Sequence, residues 1–485
     1  MGWADLREYI GALEEEGEVQ RIRACVDPHL EVGAVIRRSM DLKAPAPLFE
    51  SLKGFPEGYR IFGAPIGASG ASGRRLARVA LALGLSPETP VEEIIRVYTD
   101  RLKRSIPPER VPRGPCKEEV HVGDAADLEE FPAPYLHQGD GGRYIGTWHI
   151  VVSRDPDSEW VNWGVYRLVV LDKNTLSALI PPSTHLGLHF YQKHEPRGRP
   201  MEFAVAIGTD PVLPILCGTS VPAGVQESHL VGGLRQEPVE VVRCETVDLD
   251  VPATSEIVIE GQVLPGERRA EGPFAEFTGY RAPGTSLQPV FRVSAITHRK
   301  DPILPVSCTG VPVDDCGVMN CVAKSGGILQ DLQEKGLPVR AVFCPPEGVG
   351  HLAVVSTRVP YPYFARHLAN AVWGTGRGRY CWYLIIVDED VDVTDNDEVL
   401  WALTTRCHPD RGVFKMPDVP GRAVLSFASP EERERLVGAY ILFDCTWPKD
   451  WPEENIPEKA AFDVMWPEEI QKRVLSRWGE YGYGG

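Results

Sequence analysis

Hydrophobic positions recur at helical spacing from the start of the chain. Leu6, Ile10 and Leu13 share one face of Asp5–Glu16, and Gly17 ends the run. Val19–Ile22 reads as a strand. Asp27-Pro28 then reads as the opening of a helix, Asp as cap and Pro at the first position, with Val32, Val35 and Ile36 on its apolar side. Strand-like pieces follow at Pro47–Leu52 and Tyr59–Phe62, and helix-like runs at Leu76–Leu83 and Val91–Tyr98. Between them Gly67-Ala-Ser-Gly-Ala-Ser-Gly73 lacks the G-K-[ST] ending of a phosphate loop and reads as a surface loop. The stiff, polar stretch Ile106–Pro115 marks a boundary, so residues 1–115 read as a small α/β domain.

The texture then changes. Tyr144–Val152, Val165–Leu171, Phe203–Ile207, Val239–Val242, Ser255–Ile259 and Phe291–Ile296 are short, β-branched and bounded by Gly, Pro or Asp. Residues 116–315 therefore read as an antiparallel sheet or barrel. From 316 to 485 helix and strand alternate again. Val339–Cys344 and Tyr383–Val387 are apolar strands, Tyr363–Val372 and Val399–Thr405 helices, and Pro467 opens a short amphipathic helix over Glu468–Trp478.

Composition changes this picture little. At 485 residues the chain has ample length for two or three domains, and 43% hydrophobic with 25% charged residues is ordinary globular usage. A formal net charge of −17 argues against nucleic acid and anionic membrane as partners. No apolar run approaches the roughly 20 residues of a membrane span. The first residues do not read as a secretory leader, and the eleven cysteines form no CxxC pair; the expectation is free thiols in a reducing cytoplasm. Cys308, Cys316 and Cys321 read as small packing residues.

Candidate chemistry centres on Glu271-Gly-Pro-Phe-Ala-Glu276-Phe-Thr-Gly-Tyr-Arg281. Gly272 and Pro273 exclude a helix between the two carboxylates. In a flat strand their odd spacing sends them to opposite faces; a bend aims both into one cavity walled by Phe274, Phe277 and Tyr280. An acid held against apolar walls beside a second carboxylate has a raised pKa and can donate a proton near neutrality. The plain alternative is a strand end with two solvated glutamates. Four further stretches suit an anion or metal site: Val161–Arg167, Pro181–His185, Gly224–Ser228 and Val251–Ser255. Asn, His and Glu together make a mostly oxygen site suited to a hard divalent ion. Taken singly, each of these residues also has an ordinary structural use.

The chain resembles the UbiD-type decarboxylases. The likeness runs through DPHLEVGA (Asp27–Ala34), APAPLFE (Ala44–Glu50), NWGVYR (Asn162–Arg167), LDKNTL (Leu171–Leu176), GVQES (Gly224–Ser228) and EPVEVVRCET (Glu237–Thr246). It continues through VPATSEIVIEG (Val251–Gly261), EGPFAEFTGY (Glu271–Tyr280), DPILP (Asp301–Pro305), DVDVTD (Asp390–Asp395) and WALTTRCHP (Trp401–Pro409). This resemblance implies an α/β (α+β) fold with a small N-terminal α/β domain, a central split β-barrel that binds the cofactor, and a C-terminal α/β dimerisation domain. It implies a reversible non-oxidative decarboxylase of an α,β-unsaturated or (hetero)aromatic acid, working through a covalent adduct of substrate with prenylated FMN.

By the same resemblance Asn162, His185 and Glu227 bind Mn²⁺ (or Mg²⁺) beside the cofactor phosphate, with K⁺ near it. Asn162, Trp163, Gly164, Val165, Tyr166 and Arg167, together with Thr184, His185 and Glu227, line the cofactor. Arg167, Glu271 and Glu276 form the catalytic network, with Glu276 the proton donor. Tyr383 stands where many relatives place a phosphate-contacting lysine; a phenol brings no charge, and Arg377 and Arg379 are nearby substitutes. The expected partners are a small-molecule carboxylic acid, further copies of the chain in a homodimer or higher homo-oligomer, and a separate flavin prenyltransferase that supplies the cofactor. Two rivals remain open here. An FMN-dependent oxidoreductase shares the split barrel, though no nicotinamide fingerprint is present. A non-catalytic cofactor-binding partner is opposed by the retained Arg167, Glu271 and Glu276.

Overall fold

The computed structural model describes residues 2–282 and 284–483. It is a mixed α/β molecule whose centre is a curled, nine-stranded sheet. The order is Arg143–Gly146, Leu168–Asp172, Thr175–Ala178, Ser286–His298, Ile257–Glu271, Met201–Ile207, His149–Arg154 and Val161–Gly164, all antiparallel, with Glu119–Val122 also pairing Ser286–His298. Two of these strands are much longer than their apolar runs suggest: Ile257–Glu271 has 15 residues and Ser286–His298 has 13. At their outer ends Arg268 stands opposite Pro289, Arg269 opposite Gln288 and Glu271 opposite Ser286. Backbone pairing extends past the hydrophobic signal there and carries Glu271 out to the rim.

A four-stranded sheet precedes it, in the order Val19–Ile22, Ala46–Phe49, Arg60–Gly63, Ile303–Val306. Its last strand arrives from beyond the central sheet and lies parallel to Arg60–Gly63, which fastens the two sheets to one another. The third sheet orders Val339–Phe343, Leu352–Thr357, Tyr383–Asp388, Val437–Cys445 and Val413–Pro420, with a parallel centre and antiparallel edges. A 20-residue helix, Asp315–Glu334, links the central sheet to this last layer. Among the described residues no helix is long and apolar enough to cross a membrane, and all eleven cysteines are free thiols.

Two local expectations are corrected. The helix expected at Asp27-Pro28 begins at Glu31. Leu30 adopts φ 72° and its N–H donates to Tyr135 O at 2.8 Å, while Tyr135 N–H donates to Pro28 O at 3.1 Å. A tertiary pairing thus takes the segment that local capping rules would have wound. The glycine–serine loop is also no simple surface loop. Gly67, Ala68 and Ser69 are buried, and Ser69 Oγ donates to Glu18 Oε1 at 2.6 Å.

The other Glu18 oxygen accepts from Arg78 Nε at 3.0 Å, and Arg78 donates again to Ala44 O at 2.5 Å and Ala64 O at 3.2 Å. Arg78 is 1% exposed and Glu18 5%, so each charge depends on the other. Arg78→Met is expected to cost about 3–5 kcal/mol, because it strands a buried carboxylate. A thermal melt should fall accordingly, and pairing it with Glu18→Leu should return part of the loss; an unchanged melt of the single variant would refute the account.

Candidate active site

The pattern reads Val165–Leu171 as one strand, but the strands are Val161–Gly164 and Leu168–Asp172. The interruption sets Arg167 free of both ladders and aims its guanidinium at the rim of the sheet. Glu271 reaches that rim as the last residue of its long strand. After it the backbone turns at Gly272, whose φ of 86° suits glycine, and an added Cβ would lie 3.2 Å from Gly284 O. Phe274-Ala275 then pairs with Arg281-Ala282 in a small hairpin. That hairpin folds Glu276 back toward Glu271. The bend places both carboxylates in one place, the arrangement the sequence left open against two solvated side chains.

Arg167 holds the two together. Its Nε and Nη2 donate to the two Glu271 oxygens at 2.8 and 2.7 Å, and its Nη1 contacts Glu276 Oε1. Phe274 lies under the guanidinium, 4.9 Å from ring centroid to Cζ. Glu271 is 1% exposed and Glu276 9%. Tyr144 OH adds a third donor to Glu271 Oε1 at 3.0 Å. Two buried carboxylates and one guanidinium leave one negative charge too many for a dry site. Glu271 accepts three hydrogen bonds here and Glu276 accepts one, so hydrogen bonding offsets burial less at Glu276. Burial accordingly raises the Glu276 pKa, with Glu271 adding to the rise, against the pull of Arg167 and Arg422.

The candidate metal ligands also converge. Asn162 and Trp163 lie on the strand Val161–Gly164, Glu227 begins the helix Glu227–Arg235, and His185 follows the Thr184 cap, whose Oγ1 accepts from Gly187 N–H at 3.3 Å. Glu227 is 2% exposed; His185 Nδ1 lies 3.0 Å from its Oε1, and Trp163 N–H donates to its Oε2 at 3.0 Å. Asn162 is 1% exposed and donates weakly to Ser153 Oγ at 3.4 Å. Tyr166 folds beneath, its OH accepting from Leu186 N–H at 3.1 Å, and a Cβ on Gly164 would strike that ring at 2.6 Å. Val165 packs against the core. A buried carboxylate facing an imidazole, with a buried amide on the neighbouring strand and among the described residues no Lys or Arg ion pair to it, fits a hard divalent ion. Among the described residues there is no cage of three or more His, Cys, Asp or Glu, so the set depends on the Asn162 amide.

A cavity of about 110 Å³ lies between the central sheet and the C-terminal layer. Phe277, next in sequence to Glu276, lines it together with Gly218, Thr219, Ser220 and the Cys316–Lys324 face of the long helix. Glu276 itself borders an adjoining open groove with Thr278, Tyr280 and Phe427. Tyr383 makes no hydrogen bond with the other predicted site residues among the described residues. It is 40% exposed, its ring is 6.1 Å from Phe427, and it lines a groove with Leu352, Ile385 and Phe443 that shares His351 with this cavity and Phe427 with the Glu276 groove. Arg377 borders the cavity instead.

Sequence reasoning missed Tyr144 and Asp140. Asp140, 5% exposed, accepts from His137 N–H at 3.1 Å and Ala275 N–H at 3.3 Å, which anchors the hairpin that carries Glu276. Nothing local marks either residue, because each acts on a segment more than 100 positions away.

Comparison with known proteins agrees along the whole length. Residues 10–98, 109–312 and 318–445 match the N-terminal, Rift-related and C-terminal domains of 3-octaprenyl-4-hydroxybenzoate carboxy-lyase (UbiD). The chain is 35% identical to the pyrrole-2-carboxylic acid decarboxylase of Pseudomonas aeruginosa, covering 99% of this chain and 98% of that one. It superimposes on the closed form of the vanillic acid decarboxylase of Sedimentibacter hydroxybenzoicus with a TM-score of 0.87 at 30% identity, over 99% of this chain and 100% of that one. An evolved dimeric form of the UbiD-class enzyme HmfF from Pelotomaculum thermopropionicum, in complex with prenylated FMN, matches at a TM-score of 0.78 and 30% identity, over 94% and 97% of the two chains. With all three domain signatures in order and relatives matched from end to end, the chain belongs to the UbiD family of carboxy-lyases.

Proposed function

We propose that this chain is a reversible, non-oxidative decarboxylase of an α,β-unsaturated or (hetero)aromatic carboxylic acid, using prenylated FMN. The observation that carries the reading is the buried Arg167–Glu271–Glu276 network, in which one acid is poised to stay protonated. Losing CO₂ from an unsaturated carbon leaves electrons that no side chain can accept. Prenylated FMN, when bound, supplies the electron sink.

The chain's own residues do the rest. Glu271 occupies the Nε–Nη2 edge of Arg167 and fixes its plane, leaving the Nη1 edge for the substrate carboxylate. Glu276 stands at that same edge. Once the carboxylate departs, the Glu276 proton moves from its carboxyl oxygen to the carbon that lost CO₂. Phe274 and Phe277 keep water from the acid, and Tyr144 keeps Glu271 in register. Run backwards under high CO₂, the same groups carboxylate.

Asn162, His185 and Glu227 are the residues to hold Mn²⁺ (or Mg²⁺) for the cofactor phosphate. Replacing His185 or Glu227 by Ala is expected to strip metal and flavin before it affects chemistry. Elemental analysis and flavin absorbance of purified variants check this, and full loading of both would refute it. The reading as a whole is tested by producing the chain with a flavin prenyltransferase and assaying CO₂ release from pyrrole-, furan- and hydroxybenzene-carboxylates and from aryl acrylates. A loaded protein that releases CO₂ from no member of such a panel would sink it.

A further inference from the structure

Glu276 follows directly on a very small element. The hairpin of Phe274–Ala275 with Arg281–Ala282 has two residues in each strand and joins no larger sheet. So short a hairpin is at best marginally stable alone in water. Glu271, by contrast, ends a 15-residue strand and accepts from both Arg167 and Tyr144. The Glu276 side chain has one hydrogen-bond partner among the described residues, Arg167. Its position therefore depends on what grips the backbone beside it.

Ala275 is gripped on both of its polar groups. Its N–H donates to Asp140 Oδ1 at 3.3 Å, and its carbonyl accepts from Thr309 Oγ1 at 2.6 Å. That carbonyl shares a peptide plane with the Glu276 N–H, which donates inward to Tyr280 O at 3.0 Å. The peptide leading into Glu276 is thus held from outside by Thr309 and from inside by the hairpin. Further back, Gly141 N–H donates to Pro273 O at 2.7 Å, and a Cβ on Gly141 would strike Gly272 O at 2.3 Å. On the other strand Arg281 donates to Gln138 O.

The two clamping side chains belong to one ring of contacts. Asp140 Oδ2 lies 3.1 Å from His137 Nδ1 and accepts from His137 N–H at 3.1 Å. His137 Nε2 lies 3.3 Å from Cys308 Sγ, and Cys308 precedes Thr309. One tautomer satisfies every member: Nδ1–H donates to Asp140, and Nε2 accepts from the thiol. Burial pushes the Cys308 thiol up, so it keeps the proton it donates. The ring runs Asp140, His137, Cys308, Thr309, Ala275 and back to Asp140. It also spans two sheets. Asp140 precedes Arg143–Gly146 of the central sheet, and Cys308 follows Ile303–Val306 of the N-terminal one.

We infer that Asp140 and Thr309, braced by His137 and Cys308, are positioning residues for the proton-transfer step: they hold Glu276 where its proton reaches the carbon that loses CO₂. This rests on the reading of Glu276 as the donor and deepens it. The hydrogen bonds of Asp140 and Thr309 to the hairpin fall on backbone atoms, so they act through its placement. Carboxylate binding depends on Arg167, which Glu271 fixes from a different strand. Loosening the clamp therefore slows proton transfer and leaves substrate binding in place. A displacement of the acid by about 1 Å is worth up to about 100-fold in rate.

The test is a double-mutant cycle on the flavin-loaded enzyme. Thr309→Val keeps the side-chain shape and removes the donor to Ala275 O. His137→Gln removes the Nδ1 donor that braces Asp140 and probes the clamp from its other side. Each is expected to lower kcat by about 10- to 100-fold, with KM and flavin content near the parent. Thr309→Ser restores the hydroxyl and should recover most of the loss. On the Glu276→Gln background the same substitutions should cost almost nothing further, because no acid remains to be positioned. Parental kcat in both Thr309→Val and His137→Gln would overturn the inference. A loss that repeats in full on the Glu276→Gln background would do the same, as would a Thr309→Ser variant as slow as Thr309→Val. Parental turnover in Glu276→Gln alone would instead remove the donor reading itself.

Discussion

Glu276→Gln is expected to lower turnover by about 10²–10⁴-fold, the usual worth of a positioned general acid, while flavin content and melting temperature stay near those of the parent. The substitution keeps the shape and the acceptor oxygen that faces Arg167 Nη1. It removes the one proton that the network holds in place. In the parent, burial raises the Glu276 pKa, so the protonated form persists to higher pH than for an exposed glutamate. Activity should therefore fall as pH rises through that raised pKa, because the acid is then spent before substrate arrives. The residual activity of the Gln variant should lack this alkaline limb. A loaded variant with near-parental turnover, or with the limb intact, would take Glu276 out of the donor's role.

The sequence revealed the architecture more fully than the geometry of the site. Short β-branched runs bounded by glycine and proline announced the central antiparallel sheet, and helical spacing announced Leu6–Glu15 and Val91–Leu102. Both signals are local. The runs understated Ile257–Glu271, because its outer half is polar and is held by main-chain pairing. The opening of Glu31–Asp41 was misplaced because Leu30 answers to Tyr135, far along the chain.

The site followed the same division. Gly272 and Pro273 showed that Glu271 and Glu276 are not on a helix, but only the pairing of Phe274-Ala275 with Arg281-Ala282 decides that both point to Arg167. Asn162, His185 and Glu227 come from three separate elements, and no spacing between them encodes their meeting.

Arg167 supports the second large effect, and two substitutions separate its charge from its shape. Arg167→Lys keeps a cation but offers a point charge in place of a planar fork. It cannot hold both Glu271 oxygens edge-on and still present a parallel donor to the substrate. Turnover should fall by about 10²–10³-fold, as when a preorganised donor is lost, with a modest change in melting temperature. Arg167→Met goes further. Glu271 then sits 1% exposed with no cation against it, and removal of one partner of a buried pair costs about 3–5 kcal/mol. The Met variant should melt well below the Lys variant, and Glu271→Gln added to it should restore part of the difference. If the folded Lys variant turns over at the parental rate, the bidentate edge is not what orients the substrate. If the Met variant melts with the parent, the buried charge balance assigned to this trio is wrong.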